Sequence, residues 1–282
     1  MKPSIDAFYR QDLTFEAPDI GGRRTRETFR KERLSPAHAA ETHATITDCL
    51  QLLDVKYWPT QVSVELENDA QMTFPDGFKE TIPVSLIVSQ QQPLNSSIRM
   101  GMFEINDDAK AFKSILAHEM GHMLPEWACR KTGVTSVDEP FLTHWSKPVY
   151  EGVADWIAAV ISGTTLIGSH DIWFQRDILA CESLAESKNT VGALARFICE
   201  SLQRTELTKY RAYREWIDLV NRYMGDKPDP YAEGQWIAKQ LWTLSNGRSN
   251  AKKICDAIFH VATSGRSFDD SEIFLAEVEA RK

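Results

Sequence analysis

Two histidines and a glutamate carry the strongest chemical signal in this chain, in the run His118-Glu119-Met120-Gly121-His122. In a helix, His118 and His122 stand one turn apart on one face, so both ring nitrogens can reach a single ion. Glu119 lies about 100° around the same helix, near enough to a metal-activated water to take its proton without binding the metal. That is the donor set of a hydrolytic zinc, one Zn2+ per chain. Chance alone produces this spacing in about one chain in a hundred of such composition, so the surrounding elements have to support it.

They do so locally. Asn106-Asp107-Asp108 offers oxygen side chains for an amino-terminal cap, and Ala109 to Leu124 has helical periodicity with Phe112, Ile115, Leu116 and Met123 on one face. Pro125 is expected to end that helix. Upstream, Val62, Val64 and Leu66 alternate in a strand over Gln61 to Glu67, and Ile82 to Ser89 and Ile98 to Ile105 read as two more. Turn-rich segments, Phe74-Pro75-Asp76-Gly77 and Gln92-Pro93-Leu94-Asn95, separate them. Ser35-Pro36 marks the start of a helix running to Leu53.

From Lys147 onward the pattern is helical. Val149 to Ser162 reads as a buried helix closed by Gly163, followed by Ile172 to Glu186, Thr190 to Gln203, Leu207 to Met224, Tyr231 to Leu244, Ala251 to Thr263 and Ser271 to Ala280. A sheet and active helix followed by helices imply an α+β fold with a cleft between two lobes. The expected division is an arm and helix over 1–55, a subdomain holding sheet and site over 56–165, and a helical subdomain over 166–282. In the arm, Arg23 to Arg33 carries six bases against two acids. It is expected to be a solvated helix or surface arm, with docking of an acidic partner or a removable prosegment as alternatives.

Composition narrows the classes. A 282-residue chain with 43% hydrophobic content can bury a sizeable core. Its net charge of −8 argues against a general nucleic-acid binder, which needs a basic face. Five widely spaced cysteines without a Cys-x-x-Cys pair indicate neither a disulfide framework nor a zinc knuckle. No run of 18 or more apolar residues suggests a membrane span. The amino terminus lacks the pattern of a secretory leader, so the expected compartment is the cytoplasm, or an exported one if a leader has been removed.

A catalytic zinc takes three protein ligands and keeps one position for water. An extended His-Glu-x-x-His-x-x-Gly-x-x-His site would need glycine and histidine where the chain has Pro125 and Ala128. Downstream, Tyr150-Glu151-Gly152-Val153-Ala154-Asp155 places Glu151 and Asp155 on one helical face at i, i+4. From residue types alone, Glu151, Asp155, Glu139, His144 and Glu126 all qualify as the third ligand. For Asp155, the Gly-Thr-x-Asp pattern that accompanies an aspartate ligand is missing, because Gly163-Thr164-Thr165-Leu166 lacks the acid.

With the Glu-Gly-x-Ala-Asp run beside the upstream motif, the sequence resembles the gluzincin metallopeptidases, the thermolysin-like group whose third ligand is a glutamate on a second helix. The resemblance implies a zincin-like fold and zinc-dependent hydrolysis of peptide bonds, with a peptide or protein as substrate. Carried onto this chain, it implies Glu151 as third ligand, Asp155 as hydrogen-bond partner of His118, and Glu119 as general base. It also implies that Tyr231, which opens Tyr231-Ala232-Glu233-Gly234, stands where the family has a histidine donor to the oxyanion. Tyr231 as a helix-start packing residue, and Tyr150, Tyr210, Tyr223 or His170 as the donor, are alternatives. If Ile98 to Ile105 is the sheet edge beside the cleft, an extended peptide could pair with it.

One departure from the family is the spacing. Because 28 residues separate His122 from Glu151, 125–147 is expected to be an inserted loop whose Trp127, Phe141 and Trp145 line or cover the cleft. Two other readings remain beside the peptidase. One is a zincin-like protein that binds a peptide without cleaving it, and the other is a zinc amidohydrolase acting on a non-peptide amide.

Overall fold

Cross-strand pairing organises the amino-terminal half around one long strand, β1 (Ser4–Glu16). The structure, a computed structural model, describes residues 2–16, 27–67, 69–73, 79–83, 88–90, 95–101, 109–134, 144–169, 174–181, 183–185 and 230–282. Within these residues the molecule is α+β, with a seven-stranded mixed sheet and six α-helices.

The strand β1 runs parallel to β3 (Gln61–Glu67) over its first half and to β4 (Asp69–Thr73) over its second. On its other side it pairs antiparallel with β2 (Glu27–Arg33). An irregularity between Gln11 and Thr14, with Asp12 at φ 55°, lets the strand change partners. Further out, β5 (Lys79–Pro83) is antiparallel to β4, β7 (Asn95–Gly101) is parallel to β3, and β6 (Val88–Gln90) is antiparallel to β7.

The described part of the amino-terminal segment is therefore strand and not helix, with β2 an exposed strand at the surface. Its charges pair across strands instead of along a helix: Lys31 lies 2.7 Å from Asp6, and Arg30 lies 3.1 Å from Asp12. Arg10 is fully buried, with its guanidinium 4.1 Å from the Phe29 ring and its Nε 3.4 Å from Glu65. Lys31 sits 3.9 Å from the Phe8 ring. Residues 17–26, which include the start of the basic run at 23–26, lie outside the described residues.

Two strand expectations are revised, and one strand, β4, is additional to them. The run Ile82 to Ser89 is divided between β5 and β6, and Pro83, which has no N–H to give a ladder, closes β5. The strand β4 follows β3 after one residue and has no turn signal to announce it. The strand expected over Ile98 to Ile105 begins earlier, at Asn95, and 102–108, including the proposed cap, lie outside the described residues. Among the described residues, β7 lies between β3 and β6, and β6 covers it over Ser97–Arg99, so this part of the strand is interior to the sheet and not its edge.

The core side of this sheet carries Val62, Val64, Leu66, Ile98 and Met100, all fully buried. Two helices share that core: α1 (Pro36–Leu52), through Ile46, Cys49 and Leu50, and α2 (Ala109–Thr132), through Phe112, Ile115 and Leu116. Ser35 caps α1 by accepting from the His38 N–H, as its position before Pro36 predicts. The helix α2 continues through Pro125 for seven more residues. A proline inside a helix costs about 3 kcal/mol, and burying a large side chain contributes about 1.5 to 3 kcal/mol. Trp127, Ala128 and Cys129 are buried beyond the proline and together offset it.

The segment 125–147 is thus partly helix, and Trp127 and Trp145 are core residues, not cleft lining. Phe141 lies outside the described residues. Helix α3 (Lys147–Ser162) ends on Gly163 in the left-handed conformation at φ 74°. From Glu151 to Ile161 every residue of α3 is buried, because α2 lies on one side and α4 (Pro230–Leu244) on the other.

Within the helix expected over Ile172 to Glu186, the described residues include a strand, β9 (Phe174–Asp177), which pairs antiparallel with β8 (Leu166–Ser169). Ile167 and Ile178 bury fully on the helical layer, and the Gly168 N–H donates to the buried Ser114 hydroxyl of α2 at 3.0 Å. These long-range contacts override the local helical pattern. The stretches Thr190 to Gln203 and Leu207 to Met224 lie outside the described residues. Helices α5 (Ala251–Thr263) and α6 (Ser271–Glu279) complete the fold, with Asp270 capping α6. Among the described residues, no helix is long and apolar enough to cross a membrane.

Candidate metal centre

Where α2 crosses α3, the backbones touch. A methyl group on Gly121 would meet the Ala154 Cα at 2.7 Å, and one on Gly152 would meet the Gly234 carbonyl of α4 at 2.6 Å. Both glycines belong to the two motifs, so their lack of a side chain is what lets the three helices bring the polar residues together. Gly121→Ala is expected to lower stability by about 1 to 3 kcal/mol, the usual cost of overpacking. It should also weaken metal uptake by parting α2 from α3; thermal melting and zinc titration check the two effects.

The result is a triangle of buried donors. His118 Nε2 lies 3.1 Å from His122 Nε2 and 3.5 Å from Glu151 Oε2, and His122 Nε2 lies 3.6 Å from the same oxygen. A tetrahedral zinc with ligands about 2.0 to 2.3 Å away separates any two of them by about 3.3 to 3.7 Å. The Glu151 Oε2 atom is buried and makes no hydrogen bond among the described residues. A buried carboxylate oxygen left in that state is costly unless a cation meets it. The buried His118, His122 and Glu151 group can hold a metal ion.

Charge and burial prepare the donors differently. Burial works against a charged His118, but the carboxylates of Asp155 and Glu151 outweigh it and push its pKa up to about 9. At His122 burial dominates over the pull of Glu151 and brings the pKa down to about 3, so the ring is neutral. Burial would raise Glu151, yet the imidazoles and Arg176 outweigh it and hold the carboxyl down at about 2. A cation entering the triangle would therefore meet an ionised carboxylate and a neutral imidazole, and would displace the proton from His118.

Asp155 sits behind His118, with Oδ1 at 2.8 Å from Nδ1, and is fully buried. It faces the ring nitrogen turned away from the triangle, which places it as a partner of the imidazole and not as a donor to the ion. The same oxygen receives the Arg176 Nη2 at 2.7 Å. Arg176 lies on β9, in the stretch read as a helix, and nothing in its local sequence marks it; only the hairpin delivers it here. Glu119 is buried at 6% exposure beside His118 on α2.

Tyr231 occupies the first turn of α4, with the Arg176 guanidinium 4.8 Å and the Lys147 ammonium 5.3 Å from its ring. Burial and the negative charges of Glu151, Glu119 and Asp155 outweigh Arg176 and raise its phenol pKa, so the hydroxyl keeps its proton. The Tyr150 hydroxyl is directed elsewhere and donates to Glu126 Oε1 at 2.8 Å. That contact, with Arg130 at 3.8 Å, accounts for Glu126 away from the triangle. His144 lies against the Ala262 carbonyl at 3.3 Å and is not part of the triangle either. Glu139, His170, Tyr210 and Tyr223 lie outside the described residues.

The chain matches no protein-family model, no curated protein and no solved structure.

Proposed function

We propose that the chain is a zinc-dependent metallopeptidase of gluzincin type, with a zincin-like fold and a peptide or protein as substrate. The observation that carries this reading is the buried His118, His122 and Glu151 triangle, with Asp155 on the outer nitrogen of His118. Two imidazoles and one carboxylate suit zinc among the common ions, and a three-donor set leaves room for a water.

The ion, when bound, supplies Lewis acidity to a water and to the scissile carbonyl. Glu119 takes the proton of the attacking water and delivers it to the departing amine nitrogen. Asp155 holds the His118 ring in the tautomer that exposes Nε2 to the triangle. Tyr231, with its proton retained, donates to the oxygen on which negative charge develops. All four residues needed for hydrolysis are present, which favours cleavage over mere binding of a peptide.

The purified protein is expected to carry close to one zinc per chain and to cleave members of a peptide library. A chelator should stop cleavage and added zinc should restore it. A chain unable to take up zinc would overturn the site, while a zinc-loaded chain that cuts no peptide would overturn the peptidase.

A further inference from the structure

An ion pulls on one nitrogen of an imidazole, so the ring plane has to be held by something else. For His118 that support is Asp155. His122 is different: Asp155 lies 2.8 Å from the Nδ1 of His118, whereas the buried Nδ1 of His122 meets no carboxylate among the described residues. What it has instead is the Tyr150 ring, stacked on the imidazole with centroids 4.3 Å apart and planes inclined by 19°.

That ring is itself anchored. Its hydroxyl donates at 2.8 Å to Glu126 Oε1, and Glu126, only 3% exposed, lies 3.8 Å from Arg130. His122, Glu126 and Arg130 follow one another at four-residue intervals along α2, so they form a stripe on one face of the helix. Tyr150 reaches this stripe from α3, one residue before Glu151.

The geometry points to Tyr150 as the positioning residue of His122, clamped over the imidazole by Glu126 and Arg130. The inference rests on the reading that His118, His122 and Glu151 hold a divalent cation. It divides the support of the two imidazoles between two physical devices: a carboxylate against Nδ1 for His118 and an anchored aromatic stack for His122. The stack also ties the second ligand to the third, since a shift of α3 moves Tyr150 and Glu151 together.

The test compares wild type with Tyr150→Phe and Tyr150→Leu. Zinc affinity is read by competition with a chromophoric chelator, ligand geometry by the visible absorption of the cobalt-substituted protein, and packing by melting of the metal-free protein. Tyr150→Leu is expected to weaken zinc binding about 10- to 100-fold, the range for lost support of a metal ligand, and to alter the cobalt bands. Tyr150→Phe keeps the ring and should fall between wild type and the leucine variant in both readouts. If Tyr150→Leu keeps wild-type zinc affinity and cobalt bands, whatever its melting temperature, the residue only packs and the inference is overturned. If Tyr150→Phe is as weak as Tyr150→Leu, stacking is not the device. A wild-type protein that binds neither metal overturns the metal site itself, and the clamp with it.

Discussion

Glu119→Gln is expected to keep close to one zinc per chain and to lose about 10²- to 10⁴-fold in kcat/KM, the usual contribution of a positioned general base. At about 1.4 kcal/mol per factor of ten, this is roughly 3 to 5 kcal/mol of transition-state stabilisation. The amide has nearly the shape of the carboxylate, so the buried position beside His118 can keep its packing. What it cannot do is accept the proton of the attacking water. Metal analysis and steady-state kinetics on one preparation separate the two effects. Full turnover with normal zinc would show that another group is the base, and loss of zinc would show that Glu119 belongs to the donor set.

The second large effect concerns the metal itself. Glu151→Ala removes a donor whose oxygen lies 3.5 and 3.6 Å from the two imidazoles, and is expected to abolish tight zinc binding. Asp155→Ala leaves all three donors in place and removes the partner of His118 Nδ1, 2.8 Å away. The loss in zinc affinity should then be about 10- to 100-fold. Asp155→Ala carries a further cost, because Arg176 loses the carboxylate that it meets at 2.7 Å in a buried setting. Its metal-free form should therefore melt lower than that of Glu151→Ala. Competition titrations with zinc order the two variants; a greater loss for Asp155→Ala would make that aspartate the direct ligand.

Much of the helical framework was legible because its signals are local. Ser35-Pro36, Gly163 and the spacing over Ala251 to Thr263 mark helix ends that the structure places within a residue or so of expectation. The elements misread are those decided at a distance. β1 and β2 look like a charged arm until Phe8, Arg10, Phe29 and Lys31 stack across the strands. The stretch that holds β9 looks helical until it pairs with β8 and Ile167 and Ile178 are buried. Pro125 looks like a stop until Trp127 and Cys129 find a core beyond it.

The same division runs through the site. Residue type and spacing by themselves singled out His118, Glu119 and His122, because i, i+4 on a helix is a geometry that sequence alone specifies. They also nominated Glu151 and Asp155 as a pair, without deciding which would face the ion. The resemblance assigned Glu151 to the ion, and the tertiary structure supplies the matching geometry: the contacts at Gly121 and Gly152 set how closely α3 approaches its neighbours, with Glu151 toward both Nε2 atoms and Asp155 toward Nδ1. Tertiary structure alone brought in Arg176 and stacked Tyr150 on His122, since neither contact follows from a short-range pattern. A helix carries its own periodicity in the chain, whereas the distance between two helices exists only after they have packed.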